Sequence, residues 1–125
     1  MGGSTQVGLG AVTASENSVI DPQDWGRLEW MVSGAIGNSD KLTVGKCYIN
    51  PGKANPPHFH PNCDEVLHVL RGTIRHRVGD NYVRMGPADT ISIPQGVVHN
   101  AHNFGEDTAE FIIVFSTSMR EVVGE

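Results

Sequence analysis

His58 and His60 stand two residues apart in Pro56-Pro57-His58-Phe59-His60-Pro61. On extended backbone, side chains two apart share a face, so both imidazoles can aim at one point without a helix. Glu65 follows Pro61-Asn62-Cys63-Asp64, a turn-like stretch, and opens an apolar run from Val66 to Leu70. A chain that doubles back there brings a carboxylate beside the two rings, and two His with one carboxylate make a first-row transition-metal site. His99, in Pro94-Gln95-Gly96-Val97-Val98-His99, offers a fourth donor. This mixed N/O set is compatible with divalent Fe, Mn, Ni, Cu or Zn. Catalytic zinc usually takes three protein ligands, so four donors with water positions left open favour an octahedral ion, Fe or Mn.

The spacing Gly52-x5-His58-x-His60-x4-Glu65-x6-Gly72 resembles the first motif of the cupin superfamily at every position. Ala88-x5-Pro94-x-Gly96-x2-His99-x3-Asn103 resembles the second, with Ala88 standing where that motif has glycine. The resemblance implies an all-β double-stranded β-helix, or jelly roll, with one divalent metal on His58, His60, Glu65 and His99. The competing reading makes these ordinary polar residues on a β surface. Cupins that have lost their metal usually lack one or more ligands, and here all four are present. The resemblance is weakly specific for reaction, because such folds host many chemistries. A metal-dependent small-molecule enzyme of dioxygenase or oxidoreductase type is the first expectation. The alternatives are an isomerase or lyase acting on a sugar acid, and a non-enzymatic small-ligand binder.

Other polar residues are sorted by strand parity. His76 shares parity with Ile74 and Val78, while Arg75 and Arg77 take the other face. It is expected to point inward, as a catalytic acid/base or as a buried, hydrogen-bonded core histidine. His68, three after Glu65, faces the opposite way, and His102 is out of phase with His99. Asn103 is read as a structural turn residue, and Cys63 as a plain buried thiol. Trp30 is read as core.

The elements that must position these residues are short strands. Leu28 to Val32, Leu42 to Ile49, the His58/His60 segment, Glu65 to Leu70, Ile74 to Val78, Tyr82 to Met85, Thr90 to Ile93, Val97 to Phe104 and Ala109 to Ser116 carry strand-type patterning. Turn chemistry separates them, with Gly79-Asp80-Asn81 a hairpin signal and Asp21 to Gly26 turn-like. About nine short strands at intervals of roughly ten residues, without a helical period, argue for a sandwich or barrel. Phe111 to Phe115 is apolar on both faces, and a strand of that kind is covered on both. A second subunit would supply the outer cover, so a homodimer is expected. Residues 1 to about 17, rich in glycine, read as a flexible arm before a single domain over 18–125, and Met119 to Glu125 as a surface tail.

The chain's 125 residues suffice for one domain with its own core. A net charge of -5 without a basic cluster makes nucleic acid and anionic membranes poor partners and leaves a small-molecule substrate. The start lacks a basic, apolar leader, and two cysteines do not form a disulfide framework, so a cytoplasmic setting is expected.

Overall fold

A computed structural model describes residues 12–125. The expected arm therefore lies outside the described residues up to position 11, and Ser15–Asn17 forms one short 3-10 turn. Eleven strands follow: β1 (Val19–Gln23), β2 (Gly26–Val32), β3 (Thr43–Ile49), β4 (His58–Phe59), β5 (Glu65–Arg71), β6 (Ile74–Val78), β7 (Asn81–Met85), β8 (Thr90–Ile93), β9 (His99–Asn103), β10 (Ala109–Phe115) and β11 (Val123–Gly124). They form a six-stranded sheet in the order β1-β2-β3-β10-β5-β8 and a five-stranded sheet in the order β11-β4-β9-β6-β7. Two antiparallel sheets with crossovers between them are a jelly roll.

Strand alternation decides the core. In β10, Phe111, Ile113 and Phe115 are buried while Ile112 and Val114 turn outward, half-buried. Flanked by β3 and β5, this strand is the centre of its sheet and supplies the largest inner-face side chains. Each buried phenylalanine contributes about 2–3 kcal/mol relative to exposure.

Close approach requires glycine at several positions, Gly72 and Gly45 among them. Gly72 has φ +89°, and a Cβ there would lie 2.9 Å from Ala109 Cα. At Gly45 a Cβ would meet the Trp30 ring at 2.6 Å, so the missing side chain is what lets Trp30 lie across β3. Ala88, in the expected glycine position, adopts φ 73°. The left-handed turn is thus kept, at a steric cost of about 1–2 kcal/mol for a residue with a Cβ.

Three expectations are corrected or qualified. Asp21, Pro22 and Gln23, expected in a turn, belong instead to strand β1, which pairs with β2 and leaves Asp24 and Trp25 as a two-residue connection; Pro22 is accommodated because β1 is an edge strand. Trp30, read as core, does pack on the core against Phe115 at 6.1 Å between ring centroids, but it is half-buried and also lines a cavity. The segment from Met119 to Glu125 is more than a surface tail. Its residues are largely exposed, yet β11 pairs with β4, and Arg120, Val122 and Gly124 line the same cavity. Glu125 clasps Arg77 of β6 with two hydrogen bonds of 2.9 Å. Polar composition concealed this role because a short edge strand needs only backbone groups to pair.

Candidate metal centre

The two sheets meet at His58, His60, Glu65 and His99. The β4–β9 pairing sets His58 opposite His99 in register, with ring centroids 4.4 Å apart. His60 follows two residues on and shares the face. Glu65 opens β5 on the other sheet, so three imidazoles from one layer face a carboxylate from the other. One donor atom from each of the four lies within 4.8 Å of the others.

Backbone carbonyls fix the tautomers. Nδ1 of His58 bonds Pro56 O at 2.8 Å, Nδ1 of His60 bonds Glu121 O at 2.8 Å, and Nδ1 of His99 bonds Val97 O at 3.0 Å. A carbonyl oxygen can only accept, so each Nδ1 carries its hydrogen and each neutral ring keeps a lone pair on Nε2. Outer hydrogen bonds of this kind orient metal-ligating histidines. Nε2 of His60 is buried without a hydrogen-bond partner among the described residues, although Glu65 Oε1 lies 3.2 Å away. An orphaned nitrogen beside a buried carboxylate is costly unless a further group joins them, and a divalent cation fits that place.

Electrostatics agree with this reading. Burial alone would raise the Glu65 pKa, but the approach of His60 and His99 outweighs it and holds the carboxyl at about 2. Without an ion, His99 Nε2 donates to Glu65 Oε1 at 2.9 Å; burial opposes the ring's charge, the carboxylate overcomes this and raises its pKa, and a bound metal would have to displace that proton. Burial lowers His58 to about 4, with the neighbouring His99 and His60 adding to the effect against the Pro56 carbonyl. The carboxylate is ionised and His58 is neutral near pH 7, as metal ligation requires.

Above the cluster opens a cavity of about 340 Å³. Its walls include Trp25, Leu28, Trp30, Leu67, Phe111, Ile113 and Phe115. His76 also lines it, 1% exposed and 5.8 Å from His99 between ring centroids, with Nδ1 unpartnered among the described residues. Burial and the proximity of His99 lower its pKa to about 4. Arg120, which the sequence reading passed over, reaches the cavity from the C-terminal segment. Its only sequence signal was a lone cation after a long apolar strand.

The family model described as "Cupin domain" matches residues 45–115. The chain belongs to the cupin family. Among curated cupin relatives, germin-like protein 3-8 of Oryza sativa subsp. japonica is 31% identical over 91 residues, covering 69% of this chain and 40% of the relative. Oxalate oxidase GF-3.8 of Triticum aestivum is 27% identical over 105 residues, covering 76% of this chain and 44% of the relative. The chain thus spans less than half the length of these relatives. Among solved structures, a Bacillus subtilis oxalate decarboxylase described with Mn(II) centres superposes with TM-score 0.75 at 19% identity, over 82% of this chain and 29% of that one. The polyketide cyclase RemF of Streptomyces resistomycificus superposes with TM-score 0.75 at 20% identity, over 90% of this chain and 82% of that one.

Among the remaining polar residues of this cupin, His68 and His102 fall where parity placed them. His68 turns outward from β5 and bonds Thr90 Oγ1 at 2.7 Å on β8. His102 is exposed. Asn103, fully buried, donates to Ile49 O and Asp107 O and accepts from the Gly105 amide, which ties down the β9–β10 connection. Cys63 is a buried free thiol within the core. Phe111 lines the cavity, Met85 is buried in the core, and Tyr48 turns its ring under Arg27.

Proposed function

We propose that His58, His60, Glu65 and His99 hold one divalent metal ion, manganese or iron, in a metal-dependent oxidoreductase acting on a small, oxygen-rich molecule. The observation that carries this is the convergence of three imidazoles, each with Nδ1 committed to a carbonyl, beside the Glu65 carboxylate, with Nε2 of His60 and of His99 at 3.2 and 2.9 Å from its Oε1. The oxalate oxidase and oxalate decarboxylase relatives, the latter with Mn(II), support both the metal and the substrate class. The ion would supply a Lewis acid and, as Mn or Fe, a redox centre.

The chain's own groups divide the remaining work. Apolar walls exclude water and so strengthen every charge interaction inside. To His76, which lines the cavity and is neutral at pH 7, this reading assigns the acceptance of a proton from bound substrate and its return to product. Glu65 stays ionised beside the rings and balances the ion's charge.

Elemental analysis of purified protein is expected to find one Mn or Fe per chain. Turnover of a small oxygen-rich acid is expected to consume O₂ and to stop when Zn(II) replaces the native ion. Turnover that continues without O₂, or with Zn(II), would instead assign a Lewis-acid isomerase or lyase.

We also propose a homodimer formed through the outer face of the six-stranded sheet. Val114 of β10 is in register with Val44 of β3 and Val66 of β5, an outward apolar row with Val66 37% exposed. Light scattering is expected to give twice the chain mass, and Val66→Lys to give the chain mass alone.

A further inference from the structure

Arg120 is the only lysine or arginine among the residues lining the cavity. Its guanidinium carbon sits 4.3 Å from the Trp30 ring centroid and 5.3 Å from that of Phe115. Phe115 in turn touches His60, with ring centroids 4.9 Å apart, so one aromatic ring separates the cation from the metal cluster. Arg120 is half-buried, and loss of water pushes its pKa down against the pull of Glu65 and Asp21. No carboxylate lies within ion-pair distance of it among the described residues, whereas Arg77 has Glu125 and Lys46 has Glu110.

A guanidinium stacked on aromatic rings is held in a plane, and its fork of N–H donors matches a carboxylate in two parallel hydrogen bonds. The stacking faces satisfy the π-surface of the cation and none of its donors. The cavity that it enters has Trp25, Leu28, Trp30 and Phe111 in its lining beside the polar Asp21, Gln23 and Asn55, and its volume of about 340 Å³ is within the range of small-molecule sites. A compact dicarboxylate such as oxalate would leave most of that apolar surface uncovered.

We propose that Arg120 anchors the carboxylate of an acid with an apolar, aryl-sized body, whose second oxygen faces the His/Glu cluster. The substrate class is thus an aryl 2-oxo or 2-hydroxy acid rather than oxalate. This rests on the metal reading above and narrows its substrate. The alternative for Arg120 is a packing residue that offsets Glu65 and Asp21, needed for the fold and not for any ligand.

Both tryptophans of the chain, Trp25 and Trp30, line the cavity, so intrinsic fluorescence reports its occupancy directly. The test titrates Mn-loaded protein with phenylpyruvate, with its neutral methyl ester and with oxalate. Phenylpyruvate is expected to bind at least tenfold more tightly than either. Arg120→Met is expected to lose that tenfold preference over the ester with metal content unchanged, and Arg120→Lys to recover part of it. Equal affinity for acid and ester, tighter binding of oxalate, or metal loss in Arg120→Met would each overturn the proposal. If Arg120→Met fails to fold, the acid-to-ester ratio in the parent protein and in Arg120→Lys decides. The metal-free protein separates the two readings: an acid preference that survives metal removal and depends on Arg120 supports the anchor even if no metal-dependent turnover is found.

Discussion

His60 and Glu121, 61 positions apart in sequence, are joined by a 2.8 Å hydrogen bond from the imidazole Nδ1 to the backbone carbonyl. The last residues of the chain therefore orient a ligand of the candidate metal centre. The Arg77–Glu125 pair, exposed and screened, adds little by itself but marks where this segment docks. Removing Glu121–Glu125 deletes the carbonyl while leaving all four donors. Metal affinity is expected to fall about 10–100-fold, the usual effect of losing an outer partner. Competition with a calibrated chelator measures it, and an unchanged affinity would show that His60 is oriented by other means.

The four donors are expected to act together. His60→Ala and His99→Ala should each lose more metal affinity than the tail truncation, whereas His68→Ala, on the outer face, should match the parent. Elemental analysis after extensive dialysis distinguishes the variants. Equal metal content in all of them would remove the site.

Acid should destabilise the metal-free protein through His76. Its pKa is lowered from 6.5 to about 4, so between those values the unfolded chain binds a proton that the folded chain refuses. Stability then decreases as pH falls from about 6.5 toward 4, by up to about 3 kcal/mol for this one fully buried ring. His58 adds to the same slope, while Glu65, held at about 2, loses its contribution only at lower pH. Denaturant melts of His76→Gln with a chelator present should show a shallower slope across this window. A slope identical to the parent's would mean that His76 is not kept neutral by the fold.

Ala88 carries the strain of a left-handed turn at φ 73°. Replacement by glycine relieves the Cβ clash but adds freedom to the unfolded chain, so the net gain is smaller than the strain itself. Ala88→Gly is expected to stabilise by about 0.5–1 kcal/mol, which raises Tm by a few degrees for a domain of this size. A Tm equal to or below the parent's would show that the turn is relaxed as it stands.

The sequence by itself determined the strand-borne part of this cupin. Period-two alternation placed His58 with His60 and turned His68 and His102 away from the site. It also turned His76 inward, because the side-chain period of a strand is fixed by backbone geometry whatever lies beyond it. Spacing and family resemblance together selected the same four donors that meet across the two sheets. What local pattern could not reveal were contacts set by chain return. The edge strand β1 was hidden by Pro22 and Trp25-Gly26, which look like turn chemistry until a neighbouring strand supplies the pairing. The C-terminal segment was polar enough to read as surface, and only the closed barrel shows that it brings Arg120 into the cavity and a carbonyl to His60. Such backbone pairing and side-chain entry depend on where distant segments converge, and no local period or composition encodes that convergence.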